Sequence, residues 1–347
     1  MNDFFFLPLV FVLSFLGTWG IICLSKSRHW QDVPSDRSSH TAPTPTAGGV
    51  AFVVIFLVAC LISFNNFDPG FNYLAVLFLS FCIAAMGLAD DIFQLGIAPR
   101  IICQFVGVFI VLAIFGVPVI PVFSYNLDLG WPGYLLLSLA FIWFINLFNF
   151  MDGIDGIAAS ETLFICLAFL LLTFPGYSAS TSAGVTTMML ILAASVSGFL
   201  LLNFSPARIF MGDTGSYFLA FILGVSALVS TAQGITNIWV WCILSGAFII
   251  DATYTLFRRV GKKEIWYYAH CTHAYQLLAR HLQSHGKVVL LLCSVNCFWL
   301  LPLAWLSHTR PQWGLLLTIA AWLPLLLLVR KINSAINFNE PVELAIN

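Results

Sequence analysis

Asp90 and Asp91 stand side by side at the end of an apolar run, after Gly87-Leu88-Ala89. Like charges this close repel, so the pair calls for a cation, a shared proton, or a phosphoryl group held through a metal ion. An interfacial stop signal is the plainer alternative, but such signals are usually Lys or Arg. A second cluster closes another apolar run: Asn146, Asn149 and Asp152 recur every three residues, followed by Gly153-Ile154-Asp155-Gly156. That spacing lines three oxygen-bearing side chains along one drifting helical stripe. The glycines then break the helix and let backbone approach a ligand, which suits a phosphate. Asn residues at this spacing also serve as interhelical hydrogen-bond donors; the added aspartates favour the ligand reading. A third cluster, Phe210-Met211-Gly212-Asp213-Thr214-Gly215-Ser216, opens an apolar run. Free N–H groups at that helix start, with the Thr214 and Ser216 hydroxyls, are expected to form an anion site, and Asp213 to hold Mg2+ against the bound oxygens. A simple Asp or Ser cap is the competing reading.

Two further segments bear on these clusters. His270-Cys271-Thr272-His273 carries two imidazoles that share a face if the stretch is helical. Two His without a third ligand make a poor zinc site, so contact with a phosphate or sugar is favoured. With Arg258, Arg259, Lys262 and Lys263 they would meet a dianion, although a membrane-side anchor explains those four cations equally well. The stretch from Ser35 to Gly49, with Arg37, His40, Pro43, Pro45 and the Gly48-Gly49 pair, reads as an ordered loop able to cover a site.

The elements that must position these groups are membrane helices. Of 347 residues 60% are apolar and 8% charged, with 33 Phe, more hydrocarbon surface than a water-soluble fold can hide. The net charge of -1 points to no nucleic-acid partner. The nine cysteines lie mostly in apolar runs, where a thiol packs as a small hydrophobe. A bilayer crossing takes about 20 residues, and apolar runs fall at roughly 3–24, 47–64, 71–89, 98–117, 131–150, 157–174, 183–203, 215–232, 237–257, 287–307 and 313–330. The expected fold is therefore an all-α polytopic bundle of about eleven transmembrane helices. The first run is read as a retained helix, because Lys26 and Arg28 follow it and Asp3 precedes it. Thirteen of the fourteen Lys and Arg then fall on one side, only Arg310 opposite, which makes that side cytoplasmic, the N-terminus outside and the C-terminus inside. The same assignment carries Asp90, Asp91, Asp152, Asp155, Glu161, Asp213 and Asp251 to cytoplasmic helix ends. Intramembrane carboxylates are costly and functional by default, so seven converging on one face is the main functional clue. One membrane-embedded unit, 1–347, is expected, its active face built from loops 25–46, 90–98, 151–157, 204–214 and 258–287.

These pieces resemble the polyprenyl-phosphate N-acetylhexosamine-1-phosphate transferase family. The matching elements are Arg37-Ser38-Ser39-His40 with Pro43-Thr44-Pro45 and Gly48-Gly49, then Asp90-Asp91, the Asn146 to Gly156 run, Phe210 to Ser216, Asp251 with Arg258, and His270 and His273 followed by Tyr275-Gln276. They run in order from 36 to 276. The resemblance implies transfer of a sugar-1-phosphate from a UDP-N-acetylhexosamine to undecaprenyl phosphate at the cytoplasmic face of a bacterial inner membrane, releasing UMP. It implies Mg2+, with Mn2+ as a substitute, held by Asn149 and Asp213. Asp90 and Asp91 would act near the lipid phosphate, with Asp152 and Asp155 completing the catalytic carboxylates. Substrate contacts are expected from His270, His273, Arg258, Asn146, Arg37, His40 and Gly212, and a homodimer is open. Gln94 stands where muramoyl-pentapeptide enzymes have Lys, and their first loop lacks Arg-Ser-Ser-His, so the O-antigen-initiating branch of lipopolysaccharide synthesis is favoured over peptidoglycan synthesis. Outside the enzyme reading, an ion-coupled transporter would carry its acids near the midplane in broken helices of related repeats, and a scaffold gives no reason for seven acids on one edge.

A phosphate monoester has a second pKa near 6, so the acceptor is largely dianionic at neutral pH and needs little general-base help. Asp90 or Asp91 is then expected to align the nucleophile, strip a residual proton or help bind metal. A phosphoryl-aspartate intermediate is the alternative.

Overall fold

The computed structural model describes residues 3–25, 31–32, 44–63, 72–173, 183–264 and 271–337. Arg37, His40 and His270 lie outside them. In chain order the elements are α1 (Asp3–Ser25), β1 (Gln31–Asp32), β2 (Thr44–Pro45), α2 (Gly48–Ile62), α3 (Tyr73–Phe93), α4 (Ile97–Phe115), β3 (Ile120–Val122), β4 (Tyr125–Leu127), α5 (Pro132–Phe150), α6 (Ile157–Thr173), α7 (Ala183–Asn203), α8 (Gly212–Ala232), α9 (Ile238–Leu244), α10 (Gly246–Gly261), α11 (Ala274–Leu282), α12 (His285–Val295), a π-helical turn (Asn296–Leu300), α13 (Leu301–Thr309) and α14 (Gly314–Asn337). The protein is a polytopic all-α membrane protein. Over its described residues each of the eleven apolar runs is mainly helical. Eight helices among the described residues are long and apolar enough to cross a bilayer, and α9 with α10 adds a ninth if the pair counts as one crossing. The runs at 47–64 and 157–174 are the shorter helices α2 and α6, of 15 and 17 residues.

One expected helix is two. The run at 237–257 breaks at Ser245, and α9 and α10 meet at 71°. A break inside lipid frees backbone groups that need partners; Trp322 Nε1 donates to the Cys242 carbonyl at 3.0 Å beside it. An apolar cavity of about 330 Å³ opens there, lined by Trp143, Phe144, Leu147, Trp239, Trp241 and Trp322.

The bundle is organised around α8, which is buried along nearly its whole length between α2, α3 and α5. Close approach comes from small residues, the usual device where lipid removes the hydrophobic drive between helices. A Cβ at Gly49 would come within 2.5 Å of the Gly215 nitrogen, and one at Gly87 within 2.6 Å of the Asp213 carbonyl oxygen. Gly48 and Gly49 donate N–H to the Phe210 and Met211 carbonyls at 2.9 Å, and Phe210 donates to Pro45 at 2.8 Å. The ends of α2, α3 and α8 therefore meet at one point. Away from it, Phe5, Phe78, Leu136, Trp305 and Leu327 are exposed on outer helices, as lipid-facing residues should be. The nine cysteines form no disulfide among the described residues.

Candidate active site

The carboxylates at the ends of α3 and α8 and in the segment after α5 converge. α3 ends when Gln94 takes a left-handed conformation, φ 49°, leaving Asp90 and Asp91 in its last turn. Their roles differ. Asp90 is buried and pairs with Arg100 Nη1 at 2.9 Å; the same nitrogen donates to the Tyr217 hydroxyl at 3.2 Å, tying α4 to α3 and α8. The Asp90 carboxyl also lies in hydrogen-bonding reach of Asp213. Asp91 turns the other way and caps α8: Oδ1 accepts the Asp213 N–H at 2.8 Å, and Oδ2 accepts the Thr214 N–H at 3.0 Å and its hydroxyl at 2.7 Å.

This corrects the anion site expected at the start of α8. Those first N–H groups are satisfied by a carboxylate of the protein itself, one supplied from a residue 122 positions away and not by a local cap. Gly212 makes the contact feasible. Its φ of +73° is a left-handed conformation, and a Cβ there would lie 2.8 Å from Asp91 Oδ2. Gly212→Ala should therefore cost about 1–3 kcal/mol of stability and displace Asp213. A lowered thermal midpoint in detergent with reduced activity is the expected result; unchanged values for both would contradict it.

On α5, Asn149 was expected to share a cation with Asp213. It sits against Asp213, but as a donor: Nδ2 reaches Asp213 Oδ1 and Ser216 Oγ, each at 2.8 Å. Asn149 thus orients the Asp213 carboxylate and occupies the Ser216 hydroxyl. Asn146, one turn deeper, bonds to Gln104 Oε1 on α4 at 2.7 Å and to the Ile142 carbonyl, so its amide is an interhelical bridge and makes no contact at the carboxylate cluster. Asp152 follows the end of α5. Burial first, then the negative charges of Asp213 and Asp91, push its carboxyl well above the usual range. Asp155 was expected beside it in catalysis, yet both of its oxygens are engaged: Oδ2 accepts the Ala207 N–H at 3.1 Å and Oδ1 faces His285 Nδ1 at 3.1 Å. Burial raises its pKa, but these partners outweigh burial and hold the carboxyl below its ordinary value.

Before α11, residues 271–273 are not helical and His273 immediately precedes the first residue of the helix, while His270 lies outside the described residues. His273 is buried, its Nδ1 3.6 Å from Asp251 Oδ1 and its ring stacked on Tyr275. Asp251, from α10, accepts the Ala274 and Tyr275 N–H groups at 2.9 and 3.0 Å. It caps α11 as Asp91 caps α8. Arg258 ends α10 half-buried, with a buried Nε that has no hydrogen-bond partner among the described residues. Arg259 pairs with Glu264 at 2.9 Å. Glu161 stays apart from the cluster and accepts from Asn296 Nδ2 at 2.5 Å in the π-helical turn.

The donor set suits a hard divalent cation only in part. Among the described residues no three His, Cys, Asp or Glu side chains are grouped so that they could hold a metal ion by themselves. Asp90, Asp91 and Asp152 nevertheless bring like charge to Asp213, and Arg100 offsets only that of Asp90. That is the chemistry of a Mg2+ site in which one or two carboxylates hold the ion and phosphate oxygens and water fill the remaining positions. Sequence reasoning missed Arg100 and Tyr217 as parts of this face, and quoted Tyr275 in the resemblance without giving it a role. Arg100 had a signal, being with Arg208 one of two cations near the first six acids in the sequence; Tyr217 had none beyond adjacency to its motif.

Comparison with known proteins gives the following. Residues 73–231 match the model for glycosyl transferase family 4. A probable undecaprenyl-phosphate N-acetylglucosaminyl 1-phosphate transferase of Bacillus subtilis (strain 168) is 29% identical over 267 residues, covering 75% of this chain and 73% of the relative. A phospho-N-acetylmuramoyl-pentapeptide-transferase of Moorella thermoacetica is 32% identical over 280 residues, 73% of this chain and 83% of the relative. One of the same name from Symbiobacterium thermophilum is 30% identical over 339 residues, 89% and 91% of the two chains.

Proposed function

Because the chain belongs to glycosyl transferase family 4, whose relatives move phospho-sugars onto polyprenyl phosphates, we propose that it transfers an N-acetylhexosamine-1-phosphate from a UDP-sugar to undecaprenyl phosphate. The products are undecaprenyl-diphosphate-sugar and UMP. We assign the reaction to the cytoplasmic face of a bacterial inner membrane and to the start of O-antigen or a related surface polysaccharide. The family is one of enzymes, so the transporter reading falls away. The single observation carrying the proposal is that Asp90, from the end of α3, and Asp152, just after α5, both come against Asp213 at the start of α8.

In this reading an oxygen of the lipid phosphate attacks the sugar-bearing phosphorus. The bond from that phosphorus to the bridging oxygen breaks, and the electron pair leaves with UMP. Mg2+ bound by Asp213 with Asp90 or Asp152 would screen the diphosphate and stabilise charge on departing UMP. Arg100 holds Asp90 in place, Asn149 steers Asp213, and Arg258 offers an anion a donor that no described residue engages.

Asp91 is poorly placed to be a covalent nucleophile, because phosphorylating it would uncap α8. Single displacement is the expected course. Labelled UMP should therefore not exchange into UDP-sugar until lipid phosphate is added; exchange in its absence would establish the two-step route. The muramoyl-pentapeptide reading is kept because relatives at 30% and 32% identity bear that name. A panel of UDP-N-acetylhexosamines and UDP-muramoyl-pentapeptide, with lipid products identified by mass, tests the choice. Product from a UDP-N-acetylhexosamine supports the proposal, and product from the pentapeptide donor alone overturns it.

A further inference from the structure

Holding Asp152 near Asp91 and Asp213 works against mutual repulsion. Its segment, 151–156, contains Gly153 and Gly156, the latter at φ +74°, so local stiffness cannot supply the restraint. The restraint comes from outside. At one end of α11, buried Tyr275 donates its hydroxyl to the Phe150 carbonyl at 2.9 Å, and the Gly153 N–H faces the Tyr275 hydroxyl oxygen. A side chain at Gly153 would strike the Tyr275 hydroxyl and come within 2.7 Å of Gln276 Nε2, so glycine is what admits the contact. Past the other end of α11, Gln283 at φ 48° reverses the chain and Ser284 caps α12. This sets His285 Nδ1 3.1 Å from Asp155 Oδ1, placed to donate to it. The helix is itself anchored to the membrane helix α10 through Asp251. Its nine residues span about 13 Å, enough to bridge the segment from Phe150 to Asp155.

We propose that α11 is a two-point clamp, with Tyr275 and His285 as positioning residues that hold the Asp152 segment in register with the ends of α3 and α8. The third contact of Asp155, to the Ala207 N–H, ties the turn leading into α8 to the same clamp. Three segments bearing site groups are thereby joined at one carboxylate. That the clamp serves sugar-phosphate transfer rests on the functional reading above; that it restrains 151–156 does not.

The test uses the full-length protein in detergent, with hydrogen exchange of the peptide covering 151–157 measured beside initial rates. Tyr275→Phe removes one hydroxyl and keeps the ring; His285→Ala removes the other contact; His285→Asn keeps a donor at the δ position. Tyr275→Phe and His285→Ala should each speed exchange of 151–157, and the double variant should do so most, while the peptide covering 216–228 stays unchanged. His285→Asn should restore protection. For transfer, kcat should fall about 10²-fold in the double variant, the scale of an ångström of misplacement, with KM for undecaprenyl phosphate unchanged. Unaltered exchange at 151–157 in the double variant, or His285→Asn as damaging as His285→Ala, overturns the clamp whatever the activity. Faster exchange in the variants of a protein that moves no sugar phosphate upholds the clamp and overturns the functional reading instead.

Discussion

Asp213→Asn should abolish transfer, lowering kcat by about 10³-fold or more, while leaving the protein folded in membranes. The substitution keeps volume and the first turn of α8, whose N–H groups remain capped by Asp91. It removes one negative charge from a place where Asp90 and Asp152 already crowd it. If that charge had no cation to hold, its loss would relieve repulsion and stabilise the protein with little harm to turnover. If it holds Mg2+ against a diphosphate, the loss removes electrostatic stabilisation at the departing phosphate, commonly worth about 10²–10³-fold for a single preorganised group and more for a metal ligand. Asn149→Ala should follow the same direction, because it frees the Asp213 carboxylate to rotate. Initial rates with UDP-sugar and undecaprenyl phosphate, together with the thermal midpoint, separate the outcomes. Near-normal turnover in Asp213→Asn would refute the metal role assigned to it.

Asp91→Ala should lose stability and activity together, and in this it differs from Asp213→Asn. Three donors of α8 point at the Asp91 carboxylate: two backbone N–H groups and the Thr214 hydroxyl. Removing a helix cap typically costs about 0.5–2 kcal/mol. Charge-assisted bonds that are part-buried belong at the upper end of that range. The first residues of α8 should then fray and carry Asp213 with them, for a fall in kcat of about 10²-fold. Asp91→Asn, which retains one acceptor, should fall between wild type and Asp91→Ala in thermal midpoint and in rate alike. A variant Asp91→Ala that is as stable as wild type but inactive would reassign Asp91 from support to chemistry.

The legibility of this chain follows from what each solvent charges for. A carboxylate in an apolar run is conspicuous because lipid penalises it, so Asp90, Asp91, Asp152 and Asp213 could be picked out and assigned to one face from hydropathy and the placement of Lys and Arg alone. Each apolar run proved helical for the same reason, since backbone in hydrocarbon must satisfy itself. What escaped is long-range pairing. Asp91 with the start of α8, and Asp251 with the start of α11, are caps whose acceptor and donors sit 122 and 23 residues apart, whereas capping signatures in sequence are local. The bend at Ser245 carries no proline or glycine before the break, only Gly246 after it, and the run across it reads as continuous hydrocarbon. Asn146 illustrates the limit of periodicity: the stripe it shares with Asn149 and Asp152 is real, yet one turn of depth separates a bridge to Gln104 from a neighbour of Asp213.

The central proposal is that Asp213, with one carboxylate brought to it from another helix end, holds a divalent cation on a sugar-nucleotide diphosphate at the membrane face. Release of UMP by the purified protein, measured with UDP-N-acetylhexosamine and undecaprenyl phosphate before and after chelation, tests it most directly. The expected result is release that needs both the lipid phosphate and Mg2+, stops on chelation, returns with added Mg2+ or Mn2+, and is absent in Asp213→Asn. Release that continues undiminished in metal-free buffer, or that persists in Asp213→Asn, would contradict the account.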